Sequence, residues 1–247
     1  MNVRIVGAGA VGAVVARKLY KAADVAFIVD EERRERYKDG LMINGERIVF
    51  PLRTPSTPDK ADLLIFAVKN FQLDDAMDEA EPFVSDSTVI LSLLNGIEAE
   101  ERLAGRFGSG KVLYSFITDL SSNHSGLETT CFSDGGNIVF GEKDNARSDR
   151  VMEIKALFDA AGQKYTIPDD ILHEKWWKFM LNTAFNTLSA ILEADYAAIS
   201  GNRDFIRAVR LVAREVQTVG LREGVVLTGD DVEEIIRRVS LLQDHGK

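Results

Sequence analysis

The sequence predicts an α/β fold: strands alternating with helices around a parallel sheet over residues 1–167, then a smaller all-helical domain over residues 168–247. Three observations carry this. A short apolar run enters the glycine-rich turn Gly7-Ala8-Gly9-Ala10-Val11-Gly12. Continuous apolar runs of strand length recur after it, with helix-patterned stretches between them. Past Pro168 no further strand alternates with a helix, and three helical stretches follow instead.

Val3 to Val6 reads as a buried strand, Ala10 to Lys21 carries helical spacing, and Val25 to Val29 is a second apolar strand closed by Asp30. In this βαβ arrangement each glycine has its own mechanical task. The first allows a sharp turn, the second lets backbone approach a pyrophosphate, and the third lets helix pack closely on strand. The helix starting near Ala10 aims free N–H groups and the positive end of its dipole at the phosphates. Asp30 lies eighteen residues after Gly12, close to the roughly 20 expected of a residue that meets the adenosine ribose. Glycines also collect in ordinary tight turns, but this context predicts a Rossmann-type dinucleotide site made by Gly7, Ala8, Gly9, Ala10, Val11, Gly12 and Asp30.

The stretch Glu31-Glu32-Arg33-Arg34-Glu35-Arg36 reads as an exposed helix start. It is either a solvated face or, through Arg33 and Arg34, the neighbourhood of a 2′-phosphate. Asp30 itself favours NAD, because a carboxylate accepts from ribose hydroxyls and repels a phosphate. Leu41-Met42-Ile43 and Arg47-Ile48-Val49-Phe50 flank Asn44-Gly45, a hairpin signal, and Pro51, Pro55 and Pro58 mark a loop. Leu63 to Val68 is a continuous apolar run of the kind buried on both faces of a parallel sheet. Lys69 follows at once, and Asn95-Gly96 ends the next strand, Thr88 to Leu94. Both stand where open α/β sheets bind ligands, although a solvent lysine and an Asn-Gly turn account for them equally on position alone. Val112 to Phe116, Leu127 to Phe132 and Asn137 to Phe140 continue as strands, Val151 to Ala161 as a helix, and Gln163 to Ile167 as a last extended segment.

The helical stretches are Glu174 to Leu192, Asp204 to Glu223 and Asp230 to Leu242, separated by Ser200-Gly201-Asn202 and Leu227-Thr228-Gly229. From Trp176 to Leu192 the first is apolar nearly all round, which predicts burial. Lys178, Asn182 and Asn186 interrupt it at i, i+4 and i+8. On an α-helix each step of four advances about 40° beyond a full turn, so the three form one stripe roughly 80° wide. Buried amides and an ammonium without partners cost several kcal/mol, so something polar must face them. That is either an internal hydrogen-bond network or a ligand cleft between the domains.

Composition narrows the function classes. At 247 residues, 45% hydrophobic and 28% charged, the chain is ordinary globular protein. Its formal charge of −9 argues against a nucleic-acid surface. One cysteine, Cys131, and the scattered His124, His173 and His245 make no metal site and no internal disulfide. No basic n-region precedes a cleavable apolar stretch, and no run of about 18 apolar residues occurs. The expectation is a soluble cytoplasmic protein with no membrane and no nucleic-acid partner.

Taken together, GAGAVG, the strand-end Lys69, LLNG around Asn95, and KWWKFMLNTAFNTLSA from Lys175 to Ala190 resemble the ketopantoate reductase (2-dehydropantoate 2-reductase) family. The last segment is similar at every fixed position to the family's W-x-K-x-x-x-N-x-x-x-N-x-L-x-A helix. The resemblance implies NAD(P)H-dependent reduction of a small anionic 2-keto acid, with NADP as the family expectation and NAD admitted by Asp30. It implies that Gly7 to Gly12 bind the pyrophosphate and that Lys69 and Asn95 touch the cofactor near its reactive end. Lys178 would be the catalytic lysine, and Asn182 and Asn186 would hold the substrate. Pairing of subunits into a homodimer is a fold-level expectation.

Departures from the family stand beside the match. Members carry a Ser and a Glu in a later helix, and this sequence reaches Lys247 without them, so the helical domain is expected to be incomplete. Ser240-Leu241-Leu242-Gln243-Asp244 mimics a family motif but falls several residues early, and Ser240 inherits no role. Tyr196 stands where members often place another polar contact, and Asp30 and Glu31 depart from members that hold a 2′-phosphate with arginine. A reductase of another branched 2-keto acid and a non-catalytic dinucleotide sensor are the rival readings.

Overall fold

A computed structural model describes residues 1–193 and 202–241. The chain divides into two units, Met1–Ile171 and the remainder from Leu172. The first runs β1 (Asn2–Val6), α1 (Ala10–Leu19), β2 (Asp24–Ile28), α2 (Glu31–Tyr37), β3 (Leu41–Ile43), β4 (Glu46–Ile48), β5 (Leu52–Arg53), β6 (Leu63–Phe66), α3 (Leu73–Ala80), β7 (Val89–Ser92) and α4 (Ala99–Phe107). It continues with β8 (Val112–Thr118), β9 (Ser122–Ser125), β10 (Glu128–Cys131), β11 (Asn137–Gly141), α5 (Asp149–Ala161) and β12 (Tyr165–Thr166).

Eight of these strands form one sheet in the order β12-β11-β8-β7-β6-β1-β2-β5. The six from β5 to β8 are parallel and follow the order of the two mononucleotide-binding halves of a Rossmann-type sheet, reversing between β1 and β6. Alternate side chains point to opposite faces of the sheet, and both faces select mostly apolar residues. Val3, Ile5, Phe27 and Ile65 join a core with Val15 and Leu19 of α1 and Phe158 of α5. Val6, Ile28, Leu64 and Phe66 join a second core with Leu73 and Met77 of α3 and Leu103 of α4. Both faces are buried, as a parallel sheet requires.

A separate sheet, β4-β3-β10-β9, was not foreseen as a unit. Its hairpin was: Asn44 (φ 51°) and Gly45 (φ 77°) make consecutive left-handed residues between β3 and β4. The short β5 lies inside the stretch read as a proline loop, and its two residues pair with Phe27 and Ile28 at the sheet edge, where flanking prolines are tolerated. Strand β9, Ser-Asn-His-Ser, is too polar to signal itself.

The Arg4 side chain in β1 is enclosed, at 1% exposure. Its Nε and Nη2 donate to Asp59 at 2.9 and 2.7 Å, Nη2 also reaches Asp24 at 3.0 Å, and Nη1 donates to the carbonyls of Val3 and Asp24. A buried guanidinium is tolerable only with such full satisfaction. The hydrogen bond from Arg4 leads the effects that hold the Asp59 carboxyl down at about 2.

In the second unit, α6 (Ile171–Leu181) passes into a π-helical turn at Asn182–Asn186 and then α7 (Thr187–Leu192). Helices α8 (Arg203–Arg222) and α9 (Gly229–Leu241) follow. Buried Phe205, Val209, Ala213, Val216 and Gly220 form the inner stripe of α8. Gly220 permits close packing, since a Cβ there would lie 3.3 Å from the Trp176 ring. His173 Nε2 sits 3.2 Å from Asp231, and the Arg238 guanidinium covers the Trp177 ring at 4.9 Å.

Candidate active site

The glycine turn follows β1 directly, and its three glycines meet three different surroundings. Gly7 has φ 104°, and a Cβ there would fall 2.5 Å from the carbonyl oxygen of Ala67, beyond β6. Gly12, on the first turn of α1, would place a Cβ 1.8 Å from the carbonyl oxygen of Gly7. Gly9 faces nothing within 4 Å. Protein backbone therefore accounts for the first and third glycines, whereas the second borders open space of the kind a ligand's approach requires. Gly9 is also the N-cap of α1 and supplies no side-chain hydrogen bond, so the first-turn N–H groups of Ala10, Val11 and Gly12 are not capped by a side chain. Ala8 is buried between these positions. This cradle fits a pyrophosphate.

Two neighbouring loops lie at the same carboxyl edge of the sheet. Lys69 is exposed after β6, and its backbone N–H donates to Gln72 Oε1 at 3.3 Å. Asn95 is exposed after β7, with Gly96 at φ 101°. Asn70 Nδ2 donates to the Asn95 carbonyl at 3.0 Å and ties the two loops together. Asn70 was not singled out from the sequence, although a carboxamide directly after a strand-end lysine is a visible signal. Helices α3 and α4, which begin after these loops, are not among the sequence-predicted elements. Leu73, Ala76, Met77 and Ala80 at i, i+3, i+4 and i+7 are the pattern that marks α3.

Asp30 stands at the end of β2 as the N-cap of α2. Its Oδ1 accepts from the Arg33 backbone N–H at 2.6 Å and its Oδ2 from Arg33 Nε at 2.9 Å. That backbone hydrogen bond, with the guanidinium beside it, holds the Asp30 carboxyl below its ordinary value. Arg33 also donates to Glu79 on α3. Helix α2 has no buried residue, and Arg34 pairs with Glu31 at 3.2 Å, so the charge run is largely a solvated face with Arg33 as its structured member.

In the second unit the structure corrects two expectations about the polar stripe. The three side chains are not buried: Lys178 and Asn182 are half-buried and Asn186 is exposed. The helix is apolar in composition, but Trp176, Trp177, Met180, Ala184 and Phe185 fill its packed side while Ile191 and Leu192 project outward, 69% and 56% exposed. The spacing is not uniformly α-helical either. Across the π turn each loop of backbone holds more residues, so the step from Asn182 to Asn186 falls short of a full turn instead of overrunning it. Asn186 Nδ2 donates to Asn182 Oδ1 at 3.1 Å, one carboxamide directly against the other. At the entry to this turn the Thr183 hydroxyl donates to the Phe179 carbonyl at 2.8 Å, a back-bond that loosens regular helix. Single π turns of this kind recur at functional sites.

Ser240 donates to its own helix at the Ile236 carbonyl, 2.8 Å. Tyr196 and the segment Leu242-Gln243-Asp244 lie outside the described residues. Among the described residues no group of three or more His, Cys, Asp or Glu side chains is placed to hold a metal, and no helix is long and apolar enough to cross a membrane. A concavity of about 310 Å³ in the first unit is lined by residues such as Val14, Arg17, Asn44 and Cys131, and by none of the residues of the glycine turn.

Comparison with known proteins covers nearly the whole chain. The family model described as "Ketopantoate reductase PanE/ApbA" matches residues 3–145, and the one for the C-terminal part of the same family matches residues 170–245. The chain is similar to the 2-dehydropantoate 2-reductase of Pyrococcus horikoshii, at 30% identity over 99% of this chain and 84% of that one. It is similar to the crystal structure of a 2-dehydropantoate 2-reductase from Geobacter metallireducens GS-15, at TM-score 0.85 and 25% identity over 99% and 84% of the two chains. It also shares the fold of a D-mandelate dehydrogenase solved with NADH and anilino(oxo)acetate, at TM-score 0.87 and 21% identity over 99% and 81%.

Proposed function

The chain belongs to the ketopantoate reductase family, and from that premise we propose that it is an NAD(P)H-dependent 2-dehydropantoate 2-reductase that reduces the 2-keto group of ketopantoate to give pantoate. In this reading residues 1–167 bind the dinucleotide and residues 168–247 supply the substrate groups. The observation that carries it is the glycine cradle, in which Gly7 and Gly12 are required by backbone and Gly9 borders open space. Gly7, Ala8, Gly9, Ala10, Val11 and Gly12 hold the pyrophosphate, Asp30 meets the adenosine ribose, and Lys69 and Asn95 approach the cofactor from the strand ends. The bound nicotinamide cofactor supplies a hydride to the keto carbon.

The chain's own residues do the rest. Lys178 Nζ donates a proton to the oxygen that becomes the hydroxyl, and while still charged it stabilises the negative charge developing there. Asn182 and Asn186 hold the substrate's polar groups, their paired carboxamides presenting both donors and acceptors. An enzyme of the cytoplasm, acting as a homodimer, belongs to the same proposal. Purified protein should oxidise NADH or NADPH, followed at 340 nm, when ketopantoate is added. Faster oxidation with another branched 2-keto acid would reassign the substrate. Cofactor binding with no oxidation on any 2-keto acid would overturn the enzyme reading.

A further inference from the structure

We infer that Glu79 is a positioning residue for cofactor choice: it holds Arg33 against Asp30, so that the adenosine-ribose end of the site accepts an unphosphorylated 2′-hydroxyl in preference to a 2′-phosphate. The inference rests on the dinucleotide-binding reading above and deepens it to a choice of NADH over NADPH.

The geometry is a guanidinium between two carboxylates. Arg33 meets Asp30 through its backbone N–H at 2.6 Å and through Nε at 2.9 Å, and its Nη2 donates to Glu79 Oε1. The Nη2 atom also lies 2.9 Å from Asp30 Oδ2. Glu79 reaches this point from α3, which buries Met77 and Ala80 against the sheet and so fixes where the carboxylate stands. Its side chain is only 18% exposed. Glu79 Oε2 is buried with no hydrogen-bond partner among the described residues. Burial pushes the Glu79 carboxyl above its ordinary value. Leaving one buried carboxylate oxygen unsatisfied costs desolvation free energy, and the hydrogen bond Glu79 makes is the one to Arg33.

Charge decides the selectivity. An arginine at this point of a dinucleotide site ordinarily offers a phosphate two parallel donors and a net positive charge. Here the Nε and Nη2 donors are committed to carboxylates, and one guanidinium between two carboxylates leaves the group negative. Glu31 and Glu32 stand in the same first turn of α2, and the adjacent Arg34 is engaged by Glu31. A 2′-phosphate carries about −1.5 to −2 at neutral pH and meets like charge. A 2′-hydroxyl instead donates to an Asp30 lone pair. Selectivity of this kind works by rejecting the wrong ligand as well as by fitting the right one.

The test is cofactor affinity, measured by the fluorescence of NADH and NADPH on titration with the full chain, and therefore independent of any keto acid. The parent protein should bind NADH at least about tenfold more tightly than NADPH. Glu79→Gln should tighten NADPH by about tenfold, while NADH affinity stays within about threefold. Glu79→Met, which removes the charge at similar volume, should shift the ratio in the same direction and serves if the glutamine variant does not fold. A parent protein that prefers NADPH, or a ratio unmoved in the folded variants, overturns the role of Glu79 and leaves the dinucleotide reading standing. Binding of neither cofactor overturns both.

Discussion

A Cβ on Gly12 would fall 1.8 Å from the carbonyl oxygen of Gly7, whereas one on Gly9, three residues earlier, would meet nothing within 4 Å. The two glycines therefore separate folding from binding. Gly9 has φ −76°, open to any residue. Gly9→Ala should keep the parent melting temperature within about 2 °C, since a surface substitution away from packing stays within roughly 0.5 kcal/mol. It should weaken NADH binding by about tenfold or more, because the added methyl occupies the cradle. Gly12→Ala should destabilise by about 1–3 kcal/mol through overpacking of α1 on β1. Calorimetry and fluorescence titration of the pair would check both halves.

The Arg4 network predicts the acid limb of stability. Asp59 has its carboxyl lowered to about 2 from an ordinary 3.8, chiefly by the hydrogen bond from Arg4. A lowered folded-state value contributes stability above the unfolded value, and that contribution is lost as pH falls through about 4 toward 2. Denaturant midpoints should thus decline steeply in that window. Asp59→Asn should flatten the decline and cost about 1–3 kcal/mol at pH 7, at the lower end of a broken buried pair because Asp59 is itself partly exposed.

The hydrogen bond from Asn186 to Asn182 spans the π turn, with Asn182 half-buried and Asn186 exposed, so truncating either removes little packing. Asn182→Ala and Asn186→Ala should each change stability by less than about 0.5 kcal/mol. Each should raise the KM for ketopantoate by about tenfold or more, with NADH affinity unchanged. Steady-state kinetics alongside thermal denaturation would separate the two effects.

The parallel sheet was legible because its strands are buried on both faces and so are continuously apolar, as in Leu63 to Phe66. Glycines required by backbone, Gly7 and Gly12, were legible for a related reason: hard contacts leave little freedom in residue type. The second sheet was hidden, because β3 pairs with β10, which lies far along the chain, and such pairings leave no local periodicity. The π turn was hidden too. Lys178, Asn182 and Asn186 have a spacing that reads as an α-helical stripe, and only backbone geometry distinguishes the wider turn. Glu79 carries no signal of its own in the sequence, because its link to Arg33 depends on how α2 and α3 pack.

The proton-donor role of Lys178 is tested most directly by Lys178→Ala, comparing turnover with ketopantoate against NADH affinity in the same preparation. Loss of a positioned general acid should lower kcat by about 10²-fold or more, while NADH affinity stays within about threefold of the parent. A variant that turns over ketopantoate within threefold of the parent rate would contradict the account.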